Sequence, residues 1–346
     1  MKFYITNYSN SRLMFNILNR FGYEIDEIKN YKGEHAYYII STDEVRNENW
    51  MDGIASTNNL IFLLDDGCEG YAQKLRLEYT KFYEILDEFS IDRNRGIICY
   101  NNAYNRGLIK YDEVGMNMLY IPIFALWPFS EWKDVKTNII PEYDYSYLVR
   151  NGRKHKKEGY LKIKEKQLKN VFITYKKNLG ETDDTIFNDE ADGLLDEFKF
   201  HLKPEVYLNS KINITAESEY YPHKVLERPN YFEEILHLSE KTWRNISYGL
   251  PFTLLSSKNS LKEIRRLGFK TFDSLIDESY DEMDDSVRIE HSINAAVELL
   301  KFYGTNELNS ILEFNKSRIY DDTIMKNILE TESLSILREY VNNLDI

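Results

Sequence analysis

Short apolar runs separated by helical periodicities organise the first part of the chain. Lys2–Thr6, Ala36–Ser41, Leu60–Leu64, Gly96–Tyr100 and Met118–Phe124 are rich in β-branched and aromatic residues and bounded by polar segments, as buried strands are. Ser11–Phe21 and Tyr71–Phe89 lie between them with helical spacing; in the second, Leu75, Tyr79, Phe82, Leu86 and Phe89 fall at three- and four-residue steps. Alternation of this kind predicts a parallel sheet with both faces covered. The pattern restarts after Pro141. Strands are expected at Tyr145–Val149, Val171–Tyr175, Lys211–Ala216 and Pro251–Ser256, and helices at Lys154–Leu168, Ser239–Tyr248 and Ser260–Leu267. The last part of the chain is helical, with Ile293, Ala296, Val297 and Leu300 on one face, then Ile311, Leu312, Ile328, Leu329 and Ile336. The expected fold class is α/β. Two Rossmann-like domains are placed at 1–140 and 141–303, and C-terminal helices at 304–346 pack back on them.

Composition agrees with that reading. A chain of 346 residues exceeds the usual size of one core, and 42% hydrophobic with 29% charged residues is globular. The 27 tyrosines and 18 phenylalanines supply apolar area, while seven prolines and 15 glycines argue against long linkers. Lys, Asn, Ile and Tyr usage is that of an AT-rich genome. The start, Met1-Lys2-Phe3-Tyr4-Ile5-Thr6-Asn7, turns polar without a secretory apolar stretch, and no run approaches the roughly 18 apolar residues of a membrane span. Two cysteines, Cys68 and Cys99, are too few for a zinc cluster and suit a reducing compartment, so a cytoplasmic location is expected.

Net charge is −13, which disfavours non-specific binding to nucleic acid or anionic membrane. The distribution is uneven. Arg150–Lys177 holds eleven Lys/Arg against two Glu, and Gly180–Glu197 then carries eight acidic residues.

Ligands of open parallel sheets sit beyond the carboxyl ends of the strands, which singles out three loops. The first, Arg150-Asn151-Gly152-Arg153-Lys154-His155-Lys156-Lys157, follows a strand and opens a helix. It reads either as a solvated basic face or as backbone N–H groups and cations converging on phosphate, with Arg150 and Arg153 foremost. In the second, Ser239 caps a helix whose first turn contains Glu240 and Lys241. The helix dipole favours the acid there and disfavours the lysine, so an anionic ligand is one explanation for Lys241. Gly249 is the expected C-cap of this helix, ahead of a strand started by Pro251. The third, Asp65-Asp66-Gly67-Cys68-Glu69-Gly70, puts carboxylates after a strand; they are turn residues or proton acceptors. The acidic run Asp277–Asp285 lacks the glycine of a calcium loop. Dinucleotide-binding, Walker, zincin and nucleophile-elbow motifs are absent from the sequence.

These blocks resemble a family: glycosyltransferases encoded in tailed-phage genomes, themselves similar to the α-1,3-fucosyltransferases. Asp65-Asp66-Gly67-Cys68-Glu69-Gly70 looks like the family's Asp…His-Glu-Gly loop, with Cys68 at the histidine position. Tyr147–Lys156 is similar to its Asn-Arg-X-X-Arg-X-His-Arg donor loop. Asn213–Glu219, Ser239–Thr242 through Gly249-Leu250-Pro251-Phe252, Leu267–Phe272 and Ile276–Asp281 form the longest match, and the resemblance is close from Tyr145 to Arg288 and weak before that.

The resemblance implies a GT-B-like fold and transfer of a hexose or pentose from a nucleoside-diphosphate sugar, the co-substrate, with no other cofactor and no obligatory metal. It puts Glu240 on ribose hydroxyls, Lys241, Arg150 and Arg153 on phosphate, with Lys154 and Ser239 in the same donor site. Glu217 would line the sugar pocket. The expected base is a carboxylate of the N-terminal domain, Glu69 first and Asp66 second, acting across an interdomain cleft. The acceptor is a glycan, a protein or a modified DNA base, and no membrane partner is implied. Two other classes stay open: a non-catalytic nucleotide- or carbohydrate-binding protein of the same fold, and a structural or host-interaction protein.

Overall fold

The computed structural model describes residues 1–5, 12–41, 44–45, 51, 54, 59–65, 72–101, 108–111, 116–126, 139–149, 153–174, 204–218, 220–221, 223–224, 232–233 and 236–344. In chain order the strands are β1 (Lys2–Ile5), β2 (Glu24–Glu27), β3 (Ala36–Ser41), β4 (Leu60–Asp65), β5 (Gly96–Tyr100), β6 (Leu108–Tyr111) and β7 (Met116–Tyr120). They continue with β8 (Tyr143–Leu148), β9 (Val171–Thr174), β10 (Ser210–Ala216), β11 (His223–Lys224), β12 (Phe232–Glu233) and β13 (Phe252–Leu255). The fold is mixed α/β with two parallel sheets. Chain proximity groups residues 1–128, 222–235 and 321–346 into one unit, and 129–221 with 236–320 into another. Residues 304–320 therefore fall in the second unit and 321–346 in the first.

The first unit holds a seven-stranded sheet of order β2-β1-β3-β4-β5-β7-β6, parallel except for the edge pair β6–β7. All residues of β3 and β4 are buried, so the continuous apolar runs reflect cover on both faces. One face presents Tyr4, Tyr38, Ile40, Phe62, Leu64 and Ile98 to Tyr79, Phe82, Tyr83 and Leu86 of helix Ala72–Glu88. Several elements depart from the sequence expectation. Strands β2 and β6 lie outside the expected runs: Glu24-Ile25-Asp26-Glu27 carries no apolar run and is a strand through pairing with β1 at the sheet edge, and Leu108–Tyr111 is the antiparallel partner of β7. The strand expected at Met118–Phe124 starts two residues earlier and stops before Pro122, after which Ile123–Leu126 is helical. Proline supplies no N–H for the ladder. The C-terminal helices of this unit are tied by hydrogen bonds from Ser333 Oγ to the Tyr120 carbonyl and from Tyr340 Oη to the Asn94 carbonyl, both 2–3 Å long at 2.9 and 2.8 Å. Among the described residues no helix is long and apolar enough to cross a membrane.

The second unit is built on a four-stranded all-parallel sheet, β13-β10-β8-β9. The basic helix Lys154–Glu165 joins β8 to β9, and the helix Glu240–Tyr248 lies between β10 and β13 in sequence. Parallel pairing leaves the loops after β8, β10 and β13 at one edge of the sheet, which positions the site described below. The basic helix approaches the sheet through Gly159. A Cβ there would lie 2.5 Å from Leu255 Cδ2 and 2.5 Å from the Tyr147 hydroxyl. That hydroxyl is already fixed by donation to the Lys156 carbonyl at 2.7 Å.

The Gly159→Ala variant separates two opposing effects. Alanine gains roughly 1 kcal/mol of helix propensity, but overpacking a closed contact costs about 1–3 kcal/mol. The packing cost is expected to win, because both obstructing groups are buried, so the urea midpoint should fall. A midpoint at or above wild type would show that the helix–sheet contact is looser than described.

Candidate functional site

Three segments converge at the carboxyl ends of β8, β10 and β13. The first begins at Arg153, the N-cap residue of the basic helix. Its side chain does not cap the helix; instead Nη1 donates to the Ser218 carbonyl, beyond the end of β10. His155, 3% exposed, contacts the Glu217 carbonyl through Nε2 at 2.9 Å and stacks on Tyr220 with ring centroids 5.3 Å apart. Tyr220 also meets the Arg288 guanidinium, whose carbon lies 4.5 Å from the ring centroid. Arg288 donates to the carbonyls of Ser256, Met283 and Tyr220 and to Asp285. Tyr220, in the loop after β10, thus packs against both His155 and Arg288.

The second segment is that loop itself. Glu217 continues the ladder through its N–H to Leu255 C=O at 3.0 Å, and its side chain has no exposed surface. Oε1 accepts from the Ser239 N–H at 3.1 Å and from the Thr242 hydroxyl. Oε2 accepts from the Ser239 hydroxyl at 2.5 Å and from the Ser218 N–H at 3.3 Å. A carboxylate offers about four acceptor positions. All are filled by this chain's own donors.

The third segment is the N-terminus of the helix Glu240–Tyr248. Ser239 is its N-cap, as the sequence implies, with Oγ accepting from Lys241 N–H at 3.3 Å, and Gly249 closes the helix in the left-handed conformation at φ 69°. Lys241 Nζ donates to Ser218 Oγ at 3.3 Å, Ser239 Oγ at 3.2 Å and Glu240 Oε1 at 3.0 Å. Burial opposes its charge, but the carboxylates of Glu240 and Glu217 outweigh that and raise its pKa above the ordinary lysine value. A lysine in a first helical turn, unfavourable against the dipole, is held charged by two neighbouring carboxylates.

Arg153 and Lys241 therefore meet at one residue, Ser218, the first on its carbonyl and the second on its hydroxyl. Lys154 turns away: its side chain is 75% exposed, 3.8 Å from Glu158 and over the Tyr221 ring at 5.0 Å. Of the sequence-derived candidates, Arg153, Glu217, Ser239, Glu240 and Lys241 come together and Lys154 stands aside. Arg150, Asp66 and Glu69, with Cys68, lie outside the described residues. Ser218, Thr242 and Tyr220 join the site beyond the sequence candidates. Ser218 follows closely on a strand and Thr242 sits in the first turn of a capped helix, which is the local signal that marks both.

The acidic run Asp277–Asp285 serves the fold. Asp281 accepts from the N–H groups of Leu261 and Lys262 at 2.9 and 3.0 Å, capping the helix Ser260–Arg266, whose own N-cap Asn259 makes no side-chain bond. Glu278 takes the Phe272 N–H, the Thr271 hydroxyl and Arg265 at 2.8, 2.6 and 2.8 Å. Burial nonetheless pushes its carboxyl up to about 7.

No protein-family profile and no curated protein sequence matches the chain. Among solved structures, an α1,3-fucosyltransferase with GDP-fucose is similar at a TM-score of 0.42 and 9% identity, covering 100% of this chain and 91% of that one.

Burial of Glu278 has a pH signature. Its folded-state pKa is raised from 4.5 to about 7, so between those values the folded chain binds more protons than the unfolded one. Its contribution is complete below the unfolded pKa and lost as pH rises through about 7, a swing of at most roughly 3 kcal/mol. Glu278→Gln removes the titration, so wild type should lose stability relative to the variant between pH 4.5 and 7.5 in urea unfolding. A pH-independent difference would show that the carboxyl is already ionised in the fold at pH 5.

Proposed function

We propose that this protein is a glycosyltransferase of GT-B-like architecture that binds a nucleoside-diphosphate sugar at the Arg153–Ser218–Lys241 corner of the second unit. The observation that carries the reading is the meeting of two cations from separate loops at the carboxyl edge of a parallel sheet, beside a helix N-terminus. That is the combination that suits a diphosphate: fixed positive charge, N–H groups and the positive end of the dipole. The resemblance of Tyr147–Lys156 and Ser239–Thr242 to a donor loop and a Glu-Lys helix supports the same placement.

In this reading, Arg153 and Lys241 exchange their contacts on Ser218 for phosphate oxygens. They offset the charge that grows on the departing diphosphate as the glycosyl bond breaks. Glu240, 22% exposed and on the first turn, is released from Lys241 to accept from ribose hydroxyls. Arg150 is proposed to add a third cation. Because protein cations neutralise the leaving group, divalent metal is proposed to be dispensable. Glu69, then Asp66, is the proposed base for the acceptor hydroxyl, whose proton it takes as the hydroxyl oxygen attacks the anomeric carbon. The acceptor classes remain glycan, protein and modified DNA base.

A thermal-shift screen against UDP-, GDP-, CMP- and dTDP-sugars, run once in EDTA and once in manganese, identifies the donor. Stabilisation by none of them under either condition would overturn the proposal, and binding seen only with manganese would overturn its metal-independent form. With the donor known, Lys241→Ala and Arg153→Ala should each weaken it about tenfold to a hundredfold, the loss of one charge-assisted hydrogen bond of about 1.5–3 kcal/mol. Normal donor affinity in Lys241→Ala would place the site elsewhere. Glu69→Gln should leave donor affinity near wild type while transfer falls by about a hundredfold or more. Normal turnover would assign the base to another residue.

A further inference from the structure

Glu217 was expected to line a sugar pocket, yet its surroundings give it another task. We infer that Glu217 is a positioning residue that holds Lys241 in place for an anionic ligand, acting through Ser239, Thr242 and Ser218 without touching the ligand. The inference rests on the phosphate-site reading above and assigns the residue on which that site depends.

Its acceptor positions are the reason. Ser239 N–H, Ser239 Oγ–H, Thr242 Oγ–H and Ser218 N–H all point at one carboxylate with no exposed surface, which leaves no lone pair to take a substrate proton. These same donors carry the partners of Lys241. Ser239 Oγ, having donated its hydrogen to Glu217, turns its lone pairs to Lys241 N–H and Lys241 Nζ. Ser218, tethered to Glu217 by its N–H, presents its hydroxyl oxygen to Nζ at 3.3 Å. The direction of the Ser239 hydroxyl therefore decides whether Lys241 meets a lone pair or a proton. An amide at position 217 would bring two N–H donors against four donors already aimed there. At least one must turn away, and the helix N-terminus shifts with it.

Electrostatics alone predicts the opposite sign, which makes the inference sharp. Removing a negative charge close to an anion site should tighten anion binding. Loss of positioning should weaken it.

The test is a calorimetric titration of the full chain with inorganic pyrophosphate in EDTA, using wild type, Glu217→Gln, Lys241→Ala and the double variant. Wild type should bind, and Lys241→Ala should weaken binding about tenfold or more. Glu217→Gln should weaken it about tenfold when Lys241 is present and less than about twofold when Lys241 is already Ala, the non-additivity expected of residues that act as one unit. Tighter or unchanged binding in Glu217→Gln overturns the inference while leaving the phosphate site intact. Additive losses overturn it too, since they show a general structural effect. Absence of pyrophosphate binding in wild type overturns the phosphate-site reading itself. Should Glu217→Gln fail to fold, Thr242→Val keeps the carboxylate and removes one of its orienting bonds. It should weaken pyrophosphate about threefold, again only with Lys241 present, and unchanged affinity would overturn the inference.

Discussion

Burying a carboxylate is unfavourable unless donors replace the water it loses, and the carboxyl edge of the second sheet is arranged around that constraint. Glu217 leaves β10 with its N–H still in the ladder to Leu255 and its side chain enclosed. Three of its four donors, the Ser239 N–H, the Ser239 hydroxyl and the Thr242 hydroxyl, come from the start of the helix that Ser239 caps. One carboxylate thereby satisfies a free N–H of the helix start, which otherwise needs a partner, and ties that helix to the strand end. The position of Lys241 follows from the position of Ser239, and the position of Ser218 follows from Glu217.

Charge is handled by the same logic elsewhere in this unit. Arg288 is 1% exposed and is spent on three carbonyls, Asp285 and the face of Tyr220. Its partner ring stacks on His155, so Tyr220 links the basic helix to the helix Asp285–Leu300. Asp281 and Glu278 serve the neighbouring helix Ser260–Arg266 and the turn at Thr271–Phe272. These buried groups set backbone geometry. Lys241 and Glu240, each 22% exposed at the side chain, are the partly exposed charged pair of the site. A protein whose net charge is −13 thus concentrates fixed positive charge where the loops after β8 and β10 meet.

Much of this was legible in the chain because periodicity is a local property. Runs such as Ala36–Ser41 and Gly96–Tyr100 are strands in the structure with the bounds read from the sequence. The Ser239 cap, the Gly249 C-cap and the strand after Pro251 follow from backbone preferences that need no tertiary partner. Gathering Arg153 and Lys241 in one region was also readable, since both loops follow strands of a parallel sheet. What local pattern does not contain is pairing. The polar strand β2 exists because β1 offers it an edge, and β6 runs antiparallel to β7 because the connection from Tyr111 to Met116 is too short for a parallel crossover. The direction in which a side chain is used is decided the same way. Glu217 reads from the sequence as a residue of the sugar pocket, but donors from the helix that starts at Ser239 enclose it. Lys154, one residue beyond Arg153, faces Glu158 and Tyr221 because a helix sends adjacent side chains to different faces. Sequence by itself determined the apolar strands, the amphipathic helices and the caps at Ser239 and Gly249; tertiary structure alone decided the polar edge strand and which charges are consumed internally, because both depend on partners outside the local pattern.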